Sequence, residues 1–212
     1  MPRVDDFLNA LILAREILPA RDPETLCRNA GAEYLALHPG GKITLPFFMK
    51  PVNVTYPEGQ VEYEDQEIKL SLQEQGLILH YLLGVQDIPL TNEPITFREI
   101  PSGEFYYQPF LKRAQVPLVQ TFGSDHELFC RAGQKVGGVD AKMADVSLTF
   151  RPFPRIPITL ILWREDDEFP PEGNILFDAT IKHFLSGEDI AFLAGTVVYK
   201  LMASAKGLKI TK

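Results

Sequence analysis

Ser71 with Glu74, Ser124 with Glu127, and Ser186 with Asp189 stand three residues apart, each pair ahead of an apolar run. A hydroxyl at that spacing accepts from the third helical N–H while the acidic side chain reaches back, so each pair marks a helix start. Asp22 before Pro23 is a fourth signal, since aspartate caps well and proline suits the first helical position. Asp5 or Asp6 is a fifth, opening an amphipathic segment through Phe7, Leu8, Leu11, Ile12 and Arg15 that stops before Pro19. Between these starts lie two intervals rich in β-branched and aromatic residues. The first holds Ile43–Met49, Val52–Tyr56, Val61–Tyr63 and Glu67–Leu70; the second holds Val146–Phe150, Ile156–Trp163 and Ile175–Phe177. Segregated helices and strands of this kind make an α+β fold, here antiparallel or mixed β-meanders packed with about six helices.

Finer readings follow from the same signals. The helix opened by Asp22 keeps an apolar face through Leu26, Cys27, Ala30, Tyr34 and Leu37 until His38-Pro39-Gly40-Gly41. Ile95–Ile100 reads as a short strand and Glu104–Ala114 as helix. Pro152, Pro154 and Pro157 predict edge or turn positions, because proline cannot donate to a ladder. The helix from Ser186 runs to about Lys206 and Gly207.

The 212 residues are 45% hydrophobic, enough for one soluble globular domain or two small ones wrapped together, and no linker interrupts them. An internal echo divides them differently. Ile43-Thr44-Leu45 and Leu70-Ser71 recur at one constant offset as Ile158-Thr159-Leu160 and Leu185-Ser186. A real repeat would give similar β-plus-helix lobes near 40–85 and 145–207; so few identities are also compatible with chance. The formal charge of -7 argues against nucleic acid or an anionic membrane as partner. The longest apolar stretches, Leu77–Val85 and Ile158–Trp163, are short of the ~20 residues of a spanning helix, and acids precede Phe7–Ala14 where a signal peptide is basic. Cys27 and Cys130 form no paired motif and read as buried small hydrophobes, which suits a cytoplasmic location.

Three constellations could carry chemistry. Gly76, His80 and Gly84 lie four apart on one helix face, where two glycines beside a histidine leave a shallow groove for a flat ligand; close helix packing over the glycines is the plainer alternative. Tyr106, Tyr107 and Phe110, with Phe105, put more rings on one helix than a single face buries, and Arg113 beside them would suit a carboxylate; ordinary core packing competes with that reading. Asp166, Asp167 and Glu168 in the acidic run from Glu165, with Asp178 beyond, offer oxygen ligands for a divalent cation, although the spacing matches no calcium loop and a solvated loop is the default. No motif of nucleophilic catalysis is present, and His126, near a helix start, should be neutral because the dipole disfavours a cation there.

The run Arg151-Pro152-Phe153-Pro154-Arg155-Ile156-Pro157, continuing through Trp163, Asp166, Phe169-Pro170, Ile175-Leu176-Phe177-Asp178 and Glu188-Asp189, resembles the signature of an uncharacterised family of mainly anaerobic bacteria and archaea. His80-Tyr81-Leu82-Leu83, Phe97-Arg98-Glu99-Ile100-Pro101-Ser102-Gly103, Tyr107 and Phe122-Gly123 are similar to its earlier motifs. The resemblance implies a setting in corrinoid metabolism, with an iron–sulfur or corrinoid protein as partner; this chain lacks the cysteine-rich iron–sulfur module that some relatives carry. With the α-helical stripe, the rings and Trp163, it suggests a binding module for a corrinoid or porphyrin as small-molecule ligand. The rival readings are a metal-assisted hydrolase using Asp166, Asp167, Glu168 and Asp178, and a protein-interaction domain anchored by Trp163 and the Phe169-Pro170-Pro171 turn.

Overall fold

The computed structural model describes residues 4–65 and 67–210, without the side chains of 4, 209 and 210. It is α+β, with two antiparallel sheets, and the chain forms two compact units. No described helix is long and apolar enough to cross a membrane.

The first unit comprises the chain up to Pro89 together with Phe153–Arg155 and His183–Leu185. Helix α1 (Val4–Ile17) buries Leu11 and Ala14. Helix α2 (Pro23–Ala30) is capped by Asp22, whose carboxylate accepts from Thr25 N–H at 2.8 Å. It ends earlier than its apolar spacing predicts. Gly31 turns left-handed at φ 66°, and Glu33–Ala36 then forms strand β1. Strands β2 (Gly41–Phe47), β3 (Lys50–Tyr56) and β4 (Val61–Tyr63) follow in the order β1-β2-β3-β4. Ile43 faces Val54, Leu45 faces Val52, and Val54 faces Val61, so the alternation of each strand buries one common face. Glu67–Leu70 is not a strand, because Asp65 turns the chain there by accepting from the N–H groups of Glu67 and Ile68. Helix α3 (Leu72–Gly84) opens with its capping box in place: Ser71 N–H donates to Glu74 at 2.9 Å and Glu74 N–H to Ser71 Oγ at 3.2 Å.

The second unit comprises Leu90–Pro152, Ile156–Lys182 and the chain from Ser186 onward. Its sheet runs β5-β9-β8-β7-β6, from β5 (Pro94–Thr96), β6 (Val139–Asp140), β7 (Val146–Phe153), β8 (Ile156–Trp163) and β9 (Glu172–Asp178). The strand expected over Ile95–Ile100 is cut short, since Glu99 reaches back to Thr96 N–H at 2.7 Å and starts a 3-10 turn. β7 and β8 are inner strands despite their prolines. The conflict resolves along the strand: β6 meets β7 only at Leu148 and Thr149 and β9 meets β8 only from Ile158 onward, so Pro152 and Pro157 lie beyond both neighbours.

Helix α4 (Gly103–Phe110) passes through one π turn, Leu111–Gln115, into α5 (Val116–Phe122). Pro109 and Pro117 each remove a helical donor, and a wider turn between them absorbs the mismatch. Helix α6 (His126–Lys135) is capped by Asp125 and not by Ser124: the Asp125 carboxylate accepts from Leu128 N–H at 2.9 Å. Helix α7 (Gly187–Ile210) starts at the expected Ser186 cap, where Asp189 N–H donates to Ser186 Oγ at 3.1 Å. It buries Ile190, Leu193, Val197 and Leu201. The positions that carry the internal echo play matching local parts, Ile43 and Ile158 buried in strands, Ser71 and Ser186 at helix caps, while the two sheets differ in strand order.

Candidate functional site

β8 and β9 pair from Ile158 with Phe177 to Trp163 with Glu172, which leaves residues 164–171 as the connection. Its middle is a tight turn: Asp166 Oδ1 accepts from Glu168 N–H at 2.9 Å and Phe169 N–H at 2.7 Å. Every residue from Trp163 to Pro170 is exposed, Trp163 at 40% and Phe169 at 60%. The ends are held. A side chain on Gly123 would meet Pro171 within 2.9 Å, so backbone and proline ring pack closely there. At the other end Arg164 N–H donates to Asp145 Oδ2 at 2.8 Å, and Arg164 Nε–H donates to His126 Nδ1 at 3.2 Å.

His126 is buried on the first turn of α6, and its Nε2 lies out of reach of water with no hydrogen-bond partner among the described residues. Burial and the adjacent Arg164 guanidinium hold the imidazole below its ordinary range, against the pull of Asp145, the Gly123 backbone and Asp125. The helix dipole therefore has stronger allies than the sequence showed. Nothing in the spacing of His126, Asp145 and Arg164 points to their meeting.

The α3 stripe is only partly a groove. Gly76 is buried, yet among the described residues a Cβ there would meet nothing within 4 Å; at Gly84 it would collide with the Phe184 carbonyl, which closes that end by backbone packing. His80 between them is half-buried.

The rings of α4 divide between core and surface. Phe110 is core, stacked on Phe97 at 4.2 Å and close to Phe177, so it is not free to meet a ligand. Tyr107 carries the Arg98 guanidinium 4.0 Å above its ring, and Tyr106 Oη lies 3.5 Å from Glu188. Phe105 is 80% exposed. Arg113 is half-buried, its backbone carbonyl against Gly195 of α7.

Asp178 accepts from the N–H and hydroxyl of Thr91, the N–H of Asn92, and the N–H and hydroxyl of Thr180, at 2.7 to 3.3 Å. Burial raises its carboxyl pKa, but these bonds outweigh it and hold the group below the usual carboxylate range. Among the described residues no three His, Cys, Asp or Glu side chains are grouped to hold a metal ion, so Asp166, Asp167, Glu168 and Asp178 form no common donor set. Cys27 is buried, and burial with Asp22 pushes its thiol up to about 11. Cys130 departs from the buried expectation: half-exposed, it lines a cavity of about 340 Å³ with Gln134, Asp140, Lys142, Met143 and Asp145.

A family model described as a domain of unknown function, DUF3786, matches residues 22–200. No curated protein and no solved structure matches the chain.

Proposed function

We propose that this chain, which belongs to the DUF3786 family, is a protein-interaction module that docks through residues 163–171. The exposure of Trp163, at the end of β8, and of Phe169, on the braced turn that follows, carries the reading. Large aromatics in water are costly unless a partner buries them, and they are the residue types that anchor interfaces. Glu165, Asp166, Asp167 and Glu168 lie between the two rings, so the complementary surface is an apolar pocket rimmed by lysine and arginine. An iron–sulfur or corrinoid protein, the class the sequence resemblance implies, is the first partner to try.

Calorimetric titration of such purified proteins tests this. Trp163→Ala with Phe169→Ala should weaken binding by about tenfold or more while leaving the melting temperature unchanged, because neither ring is core. Glu165→Gln with Glu168→Gln should slow association and flatten its salt dependence. Binding untouched by the double alanine variant would overturn the proposal.

A second reading, a corrinoid or porphyrin as small-molecule ligand, has one observation in its favour: the room beside Gly76, one turn from half-buried His80. Mixing the protein with cobalamin and with haem should then shift the visible spectrum, and His80→Ala should abolish the shift. Unchanged spectra with both would sink this reading.

A further inference from the structure

Arg164, directly after Trp163, is pinned by its backbone to Asp145 and by its guanidinium to His126. An imidazole nitrogen accepts a hydrogen bond only through a free lone pair, so the contact to Nδ1 requires neutral His126 with its proton on Nε2. That Nε2 is buried and has no partner among the described residues, an arrangement that native interiors rarely keep. A second proton would place an N–H on Nδ1 against the N–H of Arg164. The bond would be lost and two cations would face each other.

We propose that His126 is a proton-operated latch on the docking segment: neutral, it holds the Arg164 guanidinium at the root of 163–171; charged, it releases that side chain while Asp145 keeps the Arg164 backbone. The consequence for docking rests on the function proposed above, whereas the latch itself does not. The charged groups that face it come from three elements. Arg164 belongs to the connection after β8, Asp145 to the segment ahead of β7, and Asp125 is the cap of α6. Both carboxylates are engaged, Asp145 by Arg164 N–H and Asp125 by Leu128 N–H. Burial and Arg164 outweigh Asp145, the Gly123 backbone and Asp125, which favour the cation, so the latch is closed at neutral pH and opens on acidification.

Trp163 is the chain's single tryptophan and adjoins Arg164, so its fluorescence reports on the latch. The full chain is titrated from about pH 8 to about pH 5, with far-UV circular dichroism alongside. The expected result is a reversible change in emission and a rise in acrylamide quenching, centred below the ordinary imidazole range, at constant helical signal. His126→Gln should remove the transition, since the glutamine carbonyl accepts from Arg164 at every pH, and Arg164→Ala should show the acid-form signal throughout. A transition that persists in His126→Gln, a flat wild-type response, or loss of helix together with the emission change each overturns the latch. If the alanine variants of Trp163 and Phe169 still bind while this transition stands, the docking reading falls and the latch survives; a flat titration with docking intact sinks the latch alone.

Discussion

Asp178 keeps only 8% of its surface exposed, and Thr91, Asn92 and Thr180 take up its carboxylate. Asp178→Asn would set an amide N–H among donors and leave them short of acceptors. The expected cost is about 1–3 kcal/mol in thermal or denaturant unfolding. The sign of the pH effect follows from a folded pKa below the unfolded one. The contribution of Asp178 is present above the ordinary carboxylate range and is lost as pH falls through its lower folded value, and the asparagine variant should lack that part of the acid limb. The sequence marked Asp178 as an oxygen donor beyond the acidic run; it could not show that three residues of the same unit would converge on it. The two α3 glycines separate in the same way. Gly76→Ala fills open space in a helix and should stabilise by about 0.5–1 kcal/mol, whereas Gly84→Ala must displace the Phe184 carbonyl and should destabilise. Equal losses at both positions would mean that Gly76 is closely packed after all.

At the scale of elements, what was legible was whatever local chemistry decides. The caps at Asp22, Ser71 and Ser186 stand where the residue types place them. Errors came where two local signals compete. The apolar spacing through Tyr34 and Leu37 suits a helix, but Gly31 ends α2 and Tyr34 then pairs with Ile43 as strand. Ser124 and Asp125 both cap well, and the carboxylate one residue later wins. Helix α3 also shows what sequence reading misses in a core. Tyr81 donates to the Ala30 carbonyl at 2.8 Å, accepts from Arg155 N–H at 3.2 Å and stacks on Phe153 at 4.2 Å. Tyr81→Phe should keep the stack and strand both polar partners, at about 1–3 kcal/mol by chemical denaturation. A neutral effect would show that water replaces the hydroxyl.

The first unit of the molecule is not continuous in sequence, since Phe153–Arg155 completes it. Phe153 packs on Phe47 as well as on Tyr81. Phe153→Ala is expected to cost about 3–5 kcal/mol. A fragment ending at Pro89 should melt broadly, and a sharp melt from that fragment would show Phe153–Arg155 to be dispensable. The sequence by itself determined where most helices begin, which intervals are β-rich and hence the α+β class, because caps and periodicity act within a few residues. Tertiary structure alone decided that Asp178 is a structural hub, that Phe110 is core while Trp163 and Phe169 meet solvent, and that His126 meets Arg164. Those outcomes depend on partners tens of residues away, whose approach no local pattern encodes.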